Sequence, residues 1–403
     1  MESEKVKLQW LQGIRVVLIG HYVPGPLAAY LLGMLGAEVI KVEQDKGDYL
    51  RMMQVQTRAG AADLAPMFRM LNGGFKSLAL QWRQAEGAEI LGKLIATADV
   101  VIDGGRLGAL EKALGTAPEQ LSDRLIYIPI TAYGQVGPMA QLAGHDNNIL
   151  ALSGNLSYTQ TSAEGLPTVF SAPVADMFAG QMAAFGALAA LLGRERMQDG
   201  PKRLDASMLH AGFFLNFLEL AARNGNGQAP PQAGKAWMNG GRPDYRPYRC
   251  ADGRFIYFGL LEAWSLKRFL EGIGRGDLLL QVTQPAAFAA GLTALFLEKT
   301  QAEWVALGAT YDACITAVQD LEQAVHDPQV QALGLVQTVA DPEFGPLELP
   351  TYPLGFGPRS LQPALPASAP RLGQDTREIL ASVLGMASGE IESLAQKGIV
   401  TLG

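Results

Sequence analysis

Short apolar runs alternate with helix-like segments along the first third of the chain. "IRVVLIG" (Ile14–Gly20) is a β-branched run that predicts a buried strand, and "PGPLAAYLLGMLGA" predicts a helix opened by proline. "EVIKVE" follows at once and predicts a second strand. Strand, helix and strand within about 30 residues predict a βαβ unit, and therefore a parallel sheet.

The same alternation continues to about residue 134. "KSLALQW", "DVVID" and "RLIYIPITAYG" predict strands, and "EGAEILGKLIATA" predicts a helix. We therefore expect an α/β fold with a Rossmann-like, doubly wound large domain, in which ligands bind outside the carboxyl ends of the strands. Residues 175–196 predict a long, mostly buried helix. Its apolar stretch "AGQMAAFGALAALLG" is too short and too rich in Ala and Gly to predict a membrane span.

The rest of the chain predicts a second, smaller domain. "NGNGQAPPQAGKAWMNGGRP" is rich in Gly, Pro and Asn and predicts a linker. "YRPYRCADGRFIYFGLLE" predicts a hairpin around "ADG", with helical segments after it, so this domain is α+β. From about residue 341 the chain is Pro-rich and irregular, and then predicts two short helices. We expect a large domain over 1–223, a small domain over 224–330, and a segment over 331–403 that returns to the large domain.

Composition narrows the function classes. Hydrophobic residues make up 48% and charged residues 18% of the chain, which is typical of a globular enzyme. The net charge of −7 opposes nucleic-acid binding but still allows a local basic pocket for an anionic ligand. Cys250 and Cys314 match no metal-ligand spacing and predict reduced thiols. The first residues carry charges but no apolar signal core, so we expect a cytoplasmic protein without a membrane span.

The histidines are the first candidates for chemistry, because the common nucleophile, Walker, zinc and G-x-G-x-x-G motifs are absent. His145, in "AGHDNNILALSG", follows a glycine-rich loop beyond a predicted strand end, where it can move protons near neutral pH. A plain turn is the alternative interpretation. His21 predicts a solvated turn or a phosphate contact at a helix N-terminus. His210 predicts a core or edge histidine, and His326 a turn.

Asp176 is the second candidate, since it begins an otherwise apolar helix. It predicts either a helix-capping carboxylate or a carboxyl whose pKa is raised by apolar surroundings, which suits a general acid or base. Lys41, Arg106 and Lys112 lie near predicted strand ends and are candidates for ligand phosphates, although each alone is typical of a surface charge.

These blocks together resemble a known family. The chain is similar to the family III CoA-transferases, also called the CaiB/BaiF family, from about Leu11 to Pro328. The likeness is carried by "GPLAAYLLGMLGAEVIKVE", "GDYLR", "ADVVIDGGRLG", "LIYIPITAYGQVGP" and the Asp176 segment. Two further blocks, "AGHDNNILALSGNLS" and "MNGGRPDYRPYRCADGRFIYFGLLE", resemble the α-methylacyl-CoA racemase branch. Transferases of the family commonly carry Tyr or Phe where His145 stands.

The resemblance implies roles for seven residues. It implies His145 and Asp176 as a catalytic pair, Asp146 as an active-site aspartate, Glu262 as a glutamate that orients the histidine, and Lys41, Arg106 and Lys112 as contacts to CoA phosphates. It further implies an acyl-CoA thioester substrate and an interlocked homodimer. Coenzyme A enters as part of the substrate, and no other cofactor and no metal is expected.

Three functions stay open at this point. A racemase would invert the carbon α to the thioester through an enolate, with His145 serving the S side and Asp176 the R side by resemblance. Backbone N–H groups at the start of the Asp176 helix are candidate donors to the enolate oxygen. A CoA-transferase would use Asp176 as a nucleophile and form an aspartyl anhydride. A CoA-binding protein without turnover is the third.

The chain departs from the family pattern in three places, and these leave the acyl group open. Ala132 replaces a common glycine, Leu107 replaces the usual proline after Arg106, and "NGGFKSLALQW" lacks the usual Arg and Asp.

Overall fold

The computed structural model describes residues 8–53, 65–159, 161, 165–197, 202–225, 227, 232–342, 345–357, 362–366 and 368–403. The chain divides into two compact units. The first contains Met1–Ser153, Ala172–Phe214 and Pro328–Gly403, and the second contains Gly154–Ser171 and Leu215–Asp327. The C-terminal segment therefore belongs to the first unit.

The helices and strands follow one another in an α/β order in the first half of the chain. In chain order the elements are β1 Arg15–Ile19, α1 Pro24–Met34, β2 Glu38–Glu43, α2 Pro66–Asn72, β3 Lys76–Leu80, α3 Ala85–Ala96, β4 Val100–Asp103, α4 Ala109–Leu114, β5 Ile126–Pro129, α5 Asp146–Leu152, α6 Val174–Met197, α7 Met208–Phe214, α8 Phe217–Gly225, β6 Tyr245–Arg249, β7 Phe255–Gly259, α9 Ala263–Gly272, α10 Pro285–Phe296, α11 Gln301–Thr310, β8 Ile315–Ala317, α12 Leu321–Val325, α13 Pro328–Ala332, β9 Val336–Asp341, β10 Gly345–Pro350, α14 Thr376–Ser382, α15 Ser388–Gln396 and β11 Val400–Thr401. Short 3-10 helices lie at Tyr49–Arg51, Pro118–Gln120, Asn155–Tyr158 and Gly276–Gln281.

A six-stranded sheet forms the centre of the first unit, in the order β11-β3-β2-β1-β4-β5. Strands β1 to β5 pair in parallel, and β11 joins the edge antiparallel to β3. Parallel pairing requires a crossover between strands, and helices such as α1 and α3 supply it. The parallel α/β sheet predicted from the alternation of the sequence is confirmed.

Helices cover both faces of this sheet because successive strand residues point to opposite sides. Val16 and Leu18 of β1 lie in a core with α1 and α6, whereas Val17 and Ile19 lie in a core with α3 and the C-terminal helices α14 and α15. This two-sided arrangement leaves the carboxyl ends of the strands as the open edge for a ligand.

Helix α6 is the one helix among the described residues that is long and apolar enough to cross a membrane, over Val174–Arg196, with a mean hydropathy of 1.4. The sequence predicts it to be mostly buried, yet 44% of its apolar window is buried. Its alanines, including Ala183 and Ala187, pack in the core beside α1. Phe185 and Leu192 on another side are exposed. Helix α6 therefore has the length and apolar composition of a possible membrane span, but its small-residue face packs on the sheet.

The second unit has a three-stranded antiparallel sheet in the order β6-β7-β8. Its β6–β7 pair is the hairpin predicted around "ADG". An aromatic core of Phe258, Phe269, Phe296 and Trp304 packs the sheet together with helices α9 to α11. The second unit therefore combines an antiparallel sheet with helices.

Two features differ from the sequence expectation. A turn at Leu215–Asn216 ends α7, and α8 belongs to the second unit, whereas the large domain was expected over 1–223. Strands β9 and β10 form a two-stranded hairpin where an irregular segment was expected. The prolines in this segment disfavour a strand prediction from the sequence, but the hairpin tolerates them because each of its strands is an edge. The predicted linker lies partly outside the described residues.

Candidate active site

A cleft of about 460 Å³ opens beyond the carboxyl ends of β1, β4 and β5. Residues that follow strands β1 to β5 and the starts of α5 and α6 contribute to the lining. It includes His21, Tyr22, Tyr49, Arg83, Gly104, Arg106, Leu107, Ala132, His145 and Asp176. The floor is close-packed, since a Cβ on Gly20 would lie 3.2 Å from the Gly104 nitrogen. The topology therefore places the cleft where a parallel sheet binds ligands.

His145 stands at the N-cap of α5, with its backbone extended and its side chain exposed. Its N–H donates to Oδ1 of Asn148 at 3.0 Å. The residue before it must be small, because a Cβ on Gly144 would lie 2.7 Å from the Tyr133 hydroxyl oxygen. The glycine in "GHD" thus lets the loop approach Tyr133, so that His145 reaches the cleft at the start of the helix.

Asp146 explains why α5 and α6 come together. Asp146 is 8% exposed, and its Oδ1 accepts the backbone N–H of Ala175 at 2.7 Å and of Asp176 at 3.1 Å. The carboxylate that satisfies the first turn of α6 is therefore Asp146, so the capping role considered for Asp176 falls to Asp146. Because these two N–H groups bond to Asp146, they do not fit the expected role as donors to an enolate oxygen.

Asp176 is a carboxyl with little solvation and a negative neighbour. Burial, and then the charge of Asp146, raise its pKa from 3.8 to about 7. Its Oδ1 is buried and accepts no hydrogen bond from the described part of the chain. Near neutral pH this side chain is populated in both protonation states, so it is able to give or take a proton.

Comparisons with known proteins identify the family. The family model for CoA-transferase family III matches residues 11–376. The chain belongs to CoA-transferase family III. It is 32% identical to α-methylacyl-CoA racemase of Homo sapiens over 400 residues, covering 97% of each chain. It is also 30% identical to (R)-2-hydroxy-4-methylpentanoate CoA-transferase of Clostridioides difficile over 406 residues, covering 97% of this chain and 99% of the relative.

A solved structure shares the fold as well. The crystal structure of a CaiB/BaiF family protein from Brucella suis matches with a TM-score of 0.77 and 25% identity, covering 93% of this chain and 99% of that one. The family resemblance seen in the sequence blocks is confirmed. The relatives of this family III protein include both racemases and CoA-transferases, so membership alone does not select the reaction.

The basic residues expected at the CoA phosphates are placed differently from one another. Arg106 lines the cleft and donates to the Gln141 carbonyl at 3.0 Å. Lys112 is exposed in the last turn of α4 and is not among the residues that line the cleft. Arg83, which the sequence analysis missed, lines the cleft beyond the end of β3. The sequence contains the information needed to find Arg83, because this basic residue lies near a predicted strand end, as Lys41, Arg106 and Lys112 do.

Lys41 does not support a direct phosphate contact. Its side chain is fully buried, and its Nζ donates to Oδ2 of Asp48 at 2.8 Å and to the Gly20 carbonyl at 3.2 Å. A buried ammonium with a buried carboxylate partner holds neighbouring backbone in place. The position is on β2, where the sequence predicts it, but the side chain lies under the cleft rather than in it.

The remaining histidines differ in their surroundings. His21 lines the cleft beside Tyr49, and desolvation lowers its pKa, so the neutral imidazole is favoured at pH 7. A neutral imidazole carries no positive charge to attract a phosphate, so this state does not favour the phosphate contact considered for His21. His210 shares a 2.8 Å hydrogen bond with Ser207. His326, in the second unit, is exposed beside Glu322.

Glu262 belongs to the second unit, where it is exposed at the N-cap of α9. Its carbonyl accepts the N–H groups of Ser265 and Leu266 at 3.0 Å. Its role in orienting His145 stays a prediction. Two of the family departures, Leu107 and Ala132, line the cleft rather than the core.

Proposed function

We propose that this family III protein is a racemase or epimerase that inverts the α-carbon of a 2-methylacyl-CoA. One observation carries the proposal: His145 and Asp176, two groups suited to proton transfer near neutral pH, line one cleft at the carboxyl edge of the sheet. The pKa of Asp176, raised to about 7, adds support because an acid–base group is most effective when its pKa is close to the working pH.

The proposed reaction moves one proton off the α-carbon and another one on. In one direction the neutral imidazole of His145 accepts the α-proton, and the C–H electron pair becomes part of the enolate. The protonated carboxyl of Asp176 then delivers its proton to the other face of the same carbon. In the reverse direction the ionised Asp176 takes the proton and the imidazolium of His145 returns one.

Arg106 and Arg83 complete the proposal as the cleft cations that pair with the phosphates of the CoA moiety. Arginine suits this task because its guanidinium binds phosphate oxygens in a bidentate manner. Coenzyme A is then part of the substrate, and we propose no further cofactor and no metal. In the described residues, no group of three or more His, Cys, Asp or Glu side chains is placed to hold a metal ion.

The proposal also includes a homodimer in the cytoplasm. An exposed apolar surface on α6, with Met182, Phe185 and Leu192, supports a second copy of the chain as the partner, because such surfaces are rarely left open to water.

CoA transfer between carboxylic acids is the second candidate. One observation favours it, namely that Oδ1 of Asp176 accepts no hydrogen bond from the described residues and is available for bonding to a thioester carbonyl. In that reaction the ionised carboxylate attacks the carbonyl, the C–S bond breaks, and an acyl-aspartyl anhydride and CoA thiolate result. The same raised pKa disfavours it, since the nucleophile must be ionised.

The deciding experiment follows the α-proton without an acceptor acid. The purified protein is incubated in D₂O with (R)-2-methylacyl-CoA and, separately, with the (S) isomer, and NMR measures deuterium incorporation. The racemase proposal predicts incorporation from both isomers and formation of the opposite isomer. The transferase alternative predicts no incorporation and acyl exchange only once a free carboxylic acid is added.

His145→Ala gives a second readout. For a racemase it should lower exchange from the (S) isomer by about a hundredfold or more, the usual contribution of one general base. A transferase that depends on Asp176 should keep most of its activity. Unchanged exchange in His145→Ala would contradict the proton-transfer role of the histidine.

A further inference from the structure

Tyr22 has a backbone conformation that tyrosine rarely adopts. Its φ is +62°, and Asp312 is the other described non-glycine residue with a positive φ. In this left-handed region the Cβ of an L residue crowds its own backbone, so the conformation persists only where the surroundings impose it. The turn after β1 is a functional place for such strain, since Tyr22 lines the cleft.

A buried ion pair imposes this conformation. The N–H of Tyr22 donates to Oδ1 of Asp48 at 3.2 Å, and the Oδ2 of the same carboxylate accepts from Lys41 at 2.8 Å. Lys41 also donates to the carbonyl of Gly20, two residues before Tyr22. The side chains of Lys41 and Asp48 are both fully buried. The pair therefore ties the turn at both ends.

Two contacts fix the ring of Tyr22. It stacks on Tyr49, the residue after Asp48, with centroids 5.3 Å apart and planes at 12°. It also meets the imidazole of His145 edge to face, with centroids 5.5 Å apart and planes at 83°. Aromatic pairs prefer these two arrangements because of the quadrupoles of the rings. The ring of Tyr22 thus lies between an anchor on one side and the candidate base on the other.

We propose that Tyr22 is a positioning residue that holds the imidazole of His145 in its orientation for proton transfer. The chain of contacts runs from the Lys41–Asp48 pair to the backbone of Tyr22, and from the ring of Tyr22 to His145. Lys41, which the sequence made a candidate for phosphate contact, acts here through Tyr22. The kinetic consequence of this inference rests on the proposed racemase function.

Tyr22→Gly is the sharpest variant because it separates positioning from folding. Glycine adopts φ +62° without a steric cost, so the turn keeps its shape while the ring is lost. Tyr22→Phe is the matched control, since it keeps the ring and its contacts. We expect Tyr22→Gly to keep a melting temperature close to that of the wild type and Tyr22→Phe to lose far less activity than Tyr22→Gly.

The kinetic measurement uses the two enantiomers separately. Tyr22→Gly should lower deuterium exchange from (S)-2-methylacyl-CoA through kcat, by about tenfold or more, because misplacing a reacting group by about 1 Å costs up to a hundredfold. Exchange from the (R) isomer, which begins at Asp176, should change much less. Equal losses from both isomers, accompanied by a lower melting temperature, would reduce Tyr22 to a structural residue and overturn the inference.

An NMR measurement tests the positioning without relying on turnover. The chain has four histidines, so the ring signals of His145 are assigned by comparison with His145→Gln. Tyr22→Gly should move these signals, and Tyr22→Phe should restore them. Signals of His145 that do not move would overturn the inference. Wild-type protein that exchanges neither isomer would refute the proposed function instead, and the ring signals would then decide the positioning alone.

Discussion

Replacing Asp146 tests the contact that joins the two candidate catalytic residues. Asp146→Ala removes the oxygen that accepts two N–H groups of α6, at 2.7 and 3.1 Å, from a residue that is 8% exposed. Loss of a helix cap costs up to about 2 kcal/mol, and each buried N–H left without an acceptor costs about 1–3 kcal/mol. Water that enters the cleft offsets part of this, so we expect a loss of about 2–3 kcal/mol.

Asp146→Asn separates the cap from the charge. The amide oxygen still accepts N–H groups, so most of the stability should remain, but the negative charge beside Asp176 is gone. Removing that charge lowers the pKa of Asp176 from about 7, and burial, its larger cause, keeps that pKa above the ordinary range of a carboxyl. The limb of the pH–rate profile that reports ionisation of Asp176 should therefore move to lower pH.

The assay has two parts. Denaturant unfolding measures the stability of both variants and of Asp123→Asn, the same change at a fully exposed aspartate paired with Lys202. The pH dependence of kcat/KM for α-proton exchange measures the pKa. If Asp146→Ala were as stable as Asp123→Asn, the capping argument would be refuted. A pH profile of Asp146→Asn that coincides with the wild type would refute the charge argument.

Three further predictions follow from the site. Asp176→Asn should abolish exchange yet raise the free energy of unfolding at pH 8 by about 2 kcal/mol in denaturant unfolding. Because the pKa of Asp176 is raised to about 7, the wild type loses stability as pH rises from about 4 to 7, and partial solvation of the carboxyl halves the full linkage value. No gain at pH 8 would show that burial does not destabilise the ionised carboxyl. Arg106→Gln and Arg83→Gln should each raise KM for the acyl-CoA about tenfold and weaken the salt dependence of KM, while kcat stays close to that of the wild type. An unchanged KM in steady-state kinetics would show that the replaced arginine does not bind the phosphates. Lys41→Met should cost about 3–5 kcal/mol in unfolding experiments, since it leaves the buried charge of Asp48 unpaired, and adding Asp48→Asn should recover part of the loss.

The alternation of the sequence was enough to predict the sheet and its open edge. The β-branched runs that became β1, β2 and β4 are short, and a helix or loop separates each from the next, so parallel pairing was the available arrangement. His145 became a candidate for a related reason, because it follows a glycine-rich loop beyond a predicted strand end, whereas Asp176 became one because it begins an otherwise apolar helix. The hairpin of β9 and β10 escaped prediction, since Pro346 and Pro350 oppose a strand pattern that edge strands tolerate.

The cleft itself depended on contacts that no local pattern contains. Lys41 and Arg83 both lie at or beyond strand ends, yet one is fully buried against Asp48 and the other lines the cleft. Nothing in the residue types distinguishes the two, because burial is decided by which elements pack above them. The strained turn at Tyr22 is equally hidden, as tyrosine carries no signal for a positive φ.

The sequence by itself determined the periodicity of the elements, the parallel sheet and the residue types able to move a proton, because these depend on local propensity and on the alternation of apolar positions. Only the tertiary structure decided that Asp146 rather than Asp176 caps α6, and that the pKa of Asp176 rises to about 7. The physical reason is that capping, desolvation and charge proximity depend on distances between residues about thirty positions apart in the chain, and packing alone sets those distances.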